Sequence, residues 1–138
     1  MIVTILIPGK PTGKGRPRFS NGRTYTDPKT ATAELRVQAA WQDAGMPRLP
    51  DGPVCATIAL AVSRPKAHFR TNGLLSTKGE AATRPTSRPD LDNVAKLVLD
   101  ALNGRAYGDD AQVYDLHAFR YWASPGEGDH THVTLVAA

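Results

Sequence analysis

Apolar and polar positions repeat along this chain in blocks, and each block predicts one element. Val3 to Ile7 is β-branched and apolar and stops at Pro8-Gly9, as a first strand should. Val54 to Val62 sets Val54, Ala56, Ile58, Leu60 and Val62 on one face, the pattern of a half-buried strand. Gln112–Trp122 and His132–Val136 read as two further strands, joined by the polar turn SPGEGDH. Asp27-Pro28 supplies an N-cap followed by proline at N1, and a helix runs on through Ala31, Leu35, Ala39 and Gln42 to Gly45. A second helix covers about Leu91–Asn103 and ends at Gly104. The order β, α, β, α, β, β predicts one α+β domain over residues 1–138, a mixed sheet with two main helices packed on it.

Two polar stretches interrupt this pattern. Residues 8–26 form a Pro/Gly-rich loop carrying Lys10, Lys14, Arg16, Arg18 and Arg23 and no acidic residue. Within it, Ser20-Asn21-Gly22-Arg23 closes a small hairpin, because Asn-Gly tolerates the positive φ of tight turns. Residues 63–89 make a long connection with Arg64, Lys66, Arg70, Lys78, Arg84 and Arg88 against Glu80 alone. Connections of that length inside a compact domain are usually functional.

Composition changes the picture only through the placement of charge. The net charge of +4 divides into +9 over residues 1–89 and −5 over residues 90–138. A basic front and an acidic rear imply separate jobs and point to a polyanionic partner. Cys55 is the single cysteine, so an internal disulfide and a cysteine-based zinc site are both excluded, and its strand context reads as a small buried thiol. The apolar start is too short to span a bilayer and lacks a basic leader, so it is read as a strand and the protein as cytoplasmic.

The candidate chemistry lies in RPDLDNVAKLVLDALNGRAYGDDAQV, residues 88–113. On a helical wheel Asp92, Asn93, Lys96 and Asp100 fall within an arc of roughly 100°. Leu91, Val94, Ala95, Val98, Ala101 and Leu102 fill the other side, which packs on the sheet. Asp90 and Asp92 in the first turn are also explained by the helix dipole, at about 0.3–1 kcal/mol each. That explanation leaves Asp109 and Asp110 unaccounted for, just beyond a turn that lets the chain fold back beside the helix. If Asp90, Asp92 and Asp110 converge, two carboxylates ~4 Å apart repel by about 4 kcal/mol at an effective dielectric of 20. A bound cation or a retained proton would relieve that repulsion. Oxygen ligands favour Mg²⁺ or Mn²⁺. Such an ion activates water and polarises a phosphoryl group, and Lys96 would stabilise the developing charge.

The run PDLDNVAKLVLDALNG continued by YGDDAQV resembles the signature of the RusA family of Holliday junction resolvases. IPGKPTGKGRPRF and SRPKAHF…G resemble that family's opening strand, basic loop and long connection, so the likeness covers most of residues 2–122. It implies a homodimeric endodeoxyribonuclease, often encoded by phages or prophages and acting in the bacterial cytoplasm. The implied reaction is Mg²⁺-dependent and leaves 5′-phosphate and 3′-hydroxyl ends, with paired nicks placed symmetrically across a four-way junction. By position, Asp90, Asp92 and Asp110 match the catalytic, metal-binding aspartates and Lys96 the catalytic lysine. Asn93, Asp100, Asp109 and Arg120 take supporting roles. Arg120 stands where relatives often carry lysine, and is expected to touch DNA or a carboxylate.

The basic loops fit this picture, with Lys10, Lys14, Arg16, Arg18, Lys66, Arg70 and Arg88 expected to grip the phosphate backbone of branched DNA. No small-molecule cofactor and no membrane partner are expected. His68 is read as solvated, while His117, His130 and His132 lack metal-ligand spacing. Trp41 and Trp122 are read as core or dimer-interface residues. Phe19 and Phe69 are expected to pack, with a wedge into an opened junction as the alternative. Two other functions stay open at this point: a broader branched-DNA or flap nuclease of phage replication, and a non-catalytic DNA-binding dimer.

Overall fold

In the computed structural model, which describes all of residues 1–138, the apolar blocks become β1 (Ile2–Pro8), β4 (Val54–Val62), β5 (Val113–Trp122) and β6 (His130–Ala137). The hairpin at Asn21-Gly22 is present as β2 (Arg18–Ser20) and β3 (Arg23–Tyr25). Asn21 and Gly22 take φ of 52° and 73°, the left-handed pair that such a two-residue turn requires. The helices are α1 (Pro28–Asp43), α2 (Thr77–Ala81) and α3 (Leu91–Leu102). Asp27 caps α1 as expected, its carboxylate accepting from the Thr30 amide at 3.4 Å. The long sheet has the order β1-β6-β4-β5, antiparallel except for the β4–β5 pair, so it is mixed as predicted. No helix is long and apolar enough to cross a membrane.

The parallel β4–β5 pair positions everything else. Parallel neighbours need a crossover, and here it contains residues 63–89 and α3. Alternation along the strands sends Val3, Ile5, Ile7, Val54, Ala56, Ile58, Leu60, Val133 and Leu135 into one core. Val94, Ala95, Val98, Ala101 and Leu102 of α3 meet them there. Leu97 is buried too, although the wheel did not assign it to the sheet side; it joins Ala33 and Val37 of α1 around a shared crevice. On α1 the buried stripe is Thr30, Ala33, Val37 and Trp41, so Trp41 is a core residue, while Leu35 is 64% exposed. The opposite sheet face carries no helix. Ile2 and Leu6 are exposed there, and the register puts Phe119 in the same cross-strand row as Leu6.

Residues 63–89, read from the sequence only as a long connection, are ordered. They hold a 3₁₀ turn (Lys66–His68), a bridge between Phe69 and Leu75, and α2. The side chains that fold this segment are Arg64 at its start and Trp122 at the end of β5. Arg64 Nη1 donates to the Gly79 carbonyl at 2.8 Å, and Trp122 Nε1 donates to Ala82 O at 2.7 Å. The Arg64 guanidinium lies 5.1 Å from the Trp122 ring centre. His68 is therefore not solvated: it is 5% exposed and meets Trp122 edge-on at 5.2 Å. Burial, then the charges of Arg64 and Lys78, hold its pKa below the usual 6.5. Protonation thus favours the unfolded chain; the stabilisation is complete above the ordinary histidine value and disappears as pH falls through the lower folded value. Thermal melts between about pH 7 and 5 should show a steeper acid loss of Tm for wild type than for His68→Gln. Parallel slopes would contradict this placement.

Candidate active site

The polar flank of α3 and the helix-facing side of β5 enclose an open cleft of about 750 Å³. Its floor is apolar, formed by Leu91, Ala95, Leu99, Leu116 and Ala118. Its polar groups are Asp92, Lys96, Asp100 and Asp110, so four of the sequence-predicted residues meet in one place. The turn after α3 accounts for the arrival of Asp110. Tyr107 is fully buried and its hydroxyl donates to Leu99 O at 2.7 Å, which folds the chain back against the helix. Burial, then the charges of Asp110 and Asp100, push that phenol well above its usual range.

Asp109 and Asp110 do different jobs. Asp109 caps the 3₁₀ turn Asp110–Gln112, its carboxylate accepting from Ala111 N at 3.3 Å. Gln112 completes the capping box: its Oε1 accepts from Asp109 N at 3.1 Å and Gly108 N at 2.8 Å. Gln112 Nε2 also donates to Gly52 O at 2.9 Å, fixing the turn to the loop before β4. Sequence reading treated Gln112 only as the start of a strand, yet the D-x-x-Q spacing in DDAQ was the signal for its role. Asp110 is left facing the cleft.

A hydrogen bond with Asp109, then burial, then repulsion from Asp109 and Asp100 raise the Asp110 pKa above its ordinary 3.8. Once ionised, Asp110 therefore destabilises the protein without a counter-ion. In chelator, Asp110→Asn is expected to raise Tm by on the order of 1–3 °C, a small gain because the group is open to solvent. A lower Tm would show that this carboxylate is satisfied as it stands.

Convergence is less complete than expected. Asp90 sits at the N-cap of α3 but makes no side-chain cap, and it stands outside the cleft, 3.8 Å from Arg88 Nη1. Asp100 is drawn to Lys14, whose Nζ lies 3.0 Å from Asp100 Oδ2 and 2.8 Å from Glu34 Oε1. No three of the chain's His, Cys, Asp and Glu side chains are grouped closely enough to enclose a metal ion. Helix geometry accounts for much of the spread, since Asp90 at the N-cap and Asp100 near the C-terminus of α3 are ten residues, or about 15 Å, apart. The donor set still suits a hard divalent cation. Asp92, Asp100 and Asp110 line one cleft and offer only oxygen donors.

Lys14 has protein partners that the sequence did not reveal. It was assigned to DNA, but it is half-buried and bridges α1 and α3. Burial lowers its pKa, and the hydrogen bonds to Glu34 and Asp100 outweigh that and raise it above 10.5. Arg18 also has a partner, Asp27 Oδ1 at 2.7 Å. Lys10, Arg16, Lys66, Arg70 and Arg88 are exposed. Arg120 pairs with no carboxylate: its Nη1 donates to Ser87 O at 2.6 Å and Pro89 O at 2.9 Å. It thereby holds the strand of chain that leads into Asp90. Asn93 supports the basic loop, its carbonyl accepting from Lys14 N at 3.0 Å. Phe19 is 74% exposed at the hairpin, so it does not pack as expected.

With this geometry in place, comparison with known proteins adds two findings. The family model described as "Endodeoxyribonuclease RusA" matches residues 8–134. A protein of Bacillus subtilis (strain 168), named "Uncharacterized protein YqaN", is 32% identical over 119 residues, covering 83% of this chain and 84% of that protein.

Proposed function

Because the chain belongs to the RusA endodeoxyribonuclease family, we propose that it is a Mg²⁺-dependent nuclease that resolves Holliday junctions by paired, symmetric nicks. The observation that carries this reading is the meeting of Asp92, Lys96, Asp100 and Asp110 in one cleft of an otherwise basic protein. Asp92 and Asp110, with Asp90 at the rim, would hold Mg²⁺ or Mn²⁺. When bound, that ion supplies Lewis acidity and lowers the pKa of the attacking water.

The chain's own groups do the rest. Lys96, exposed on the same flank as Asp92, stabilises negative charge developing on the phosphoryl oxygens. Lys14 neutralises Asp100, which limits the negative charge that an incoming phosphate meets. Arg120 fixes residues 87–89 and so orients Asp90. Exposed Arg16, Lys66, Arg70 and Arg88 contact phosphates without reading sequence, which suits recognition of branched shape. The exposed apolar residues Ile2, Leu6 and Phe119 on the open sheet face are consistent with a homodimer, which would bring two sites to opposed strands.

The test is cleavage of a mobile four-way junction against flap, fork and linear duplex, in Mg²⁺ and in chelator. The expected result is paired symmetric nicks on the junction in Mg²⁺ or Mn²⁺ alone. Equal cutting of flaps would shift the reading to a general branched-DNA nuclease, and full activity in chelator would refute the metal mechanism.

A further inference from the structure

We infer that a second, smaller cavity beside the acidic cleft is a subsite for one DNA phosphate, a near neighbour of the scissile phosphodiester on the same strand. This rests on the nuclease reading above. The cavity holds about 210 Å³ at the seam of the loop after β1, the end of β4, residues 87–89 and β5. Its polar lining is Lys10, Arg88, Arg120, Ser63, Ser87 and Asp129. Three cations face one carboxylate, and Asp129 is already engaged, accepting from the Ser63 amide. Lys10 makes no ion pair, and Arg88 has only the long contact to Asp90.

Arg120 is the central group. Nη1 is committed to the Ser87 and Pro89 carbonyls, which fixes the plane of the guanidinium. A guanidinium carries five N–H donors, so others stay free. No buried side-chain nitrogen or oxygen lacks a partner, so those free donors are reachable from solvent, on the side chain that borders this cavity. A preset guanidinium with two flexible cations and two hydroxyls suits a tetrahedral oxyanion. The lining has no aromatic surface on which a base could stack.

Spacing identifies which phosphate. Ala118 borders the acidic cleft and Arg120 the basic cavity, two residues apart on one face of β5, or about 6.6 Å. The two cavities therefore adjoin along β5, so a phosphate in the basic one belongs to a nucleotide close to the one whose phosphate lies over the acidic cleft. Asp90 lies between them in the chain, with Pro89 lining one and Leu91 the other. A phosphate held by Lys10, Arg88 and Arg120 would set the register of the strand over Asp92 and Asp110.

The experiment measures binding of a four-way junction to the full-length Asp92→Asn protein, so that the DNA survives. Single uncharged methylphosphonates are placed at successive positions from the scissile phosphate. One flanking position should weaken binding by about tenfold. Adding Lys10→Ala should weaken binding of the unmodified junction to a similar degree, with little further loss when the methylphosphonate occupies that position. If the two losses multiply at every position, or no flanking position matters, the subsite is overturned while the nuclease reading stands. A parent protein with no preference for branched DNA would overturn both.

Discussion

Asp92→Asn should bind a four-way junction at least as tightly as the parent and cut it on the order of 10³-fold more slowly. Asp92 is exposed on the polar flank of α3, and its Oδ1 accepts only from the adjacent Asn93 amide at 3.0 Å. An asparagine oxygen can keep that contact, so folding is spared. Removing one charge from a cleft shared with Asp100 and Asp110 eases the approach of a phosphate, which accounts for unchanged or tighter binding. The same charge is what a divalent ion would need. Gel-shift and single-turnover assays on one junction separate the two effects, and a variant cutting at the parental rate would remove Asp92 from the mechanism.

Gly79→Ala should open the segment between β4 and α3. A Cβ at position 79 would collide with the carbonyl oxygen of His68, and backbone cannot yield as a flexible side chain can. The contact is locked from several sides. Ser76 Oγ accepts from Gly79 N at 3.1 Å and donates to Ala67 O at 2.9 Å, while Arg64 grips Gly79 O. Overpacking of this kind costs about 2 kcal/mol or more, and the segment can relieve it by local opening. Amide exchange over residues 66–82 should accelerate roughly 30-fold, with β4 and β6 little changed. Junction affinity should fall as well, because Lys66 and Arg70 ride on this segment. Wild-type protection in the variant would show that the close packing is not needed.

β1, β4 and α3 were legible because each is a run whose apolar period matches its element. By contrast, α1 was legible from its ends, Asp27-Pro28 and Gly45, and its buried stripe fell on Thr30, Ala33, Val37 and Trp41. The elements within residues 63–89 were not. They are short and polar, and what folds them is Trp122, brought alongside only when β5 pairs with β4. His68 looked solvated for the same reason. Lys14 looked free because its own loop contains no acid, yet Glu34 and Asp100 reach it through the packing of α1 on α3. At the site, the polar flank of α3 and the return of Asp110 followed from spacing. The position of Asp90 outside the cleft did not, because it depends on how the Arg88-Pro89 segment enters α3.

The inward side of β5 carries, in order, Leu116, Ala118, Arg120 and Trp122: floor of the acidic cleft, anchor of residues 87–89, and clasp of the basic segment. Strand geometry ties all four to a single parity. Deleting one residue after Leu116 would bring Phe119 and Tyr121 to the inner side and send Arg120 and Trp122 to the bare one. The exposed turn at residues 124–128 bears no such constraint. Around β5, length variation therefore falls in that turn, while the strand can change its residues but not their number.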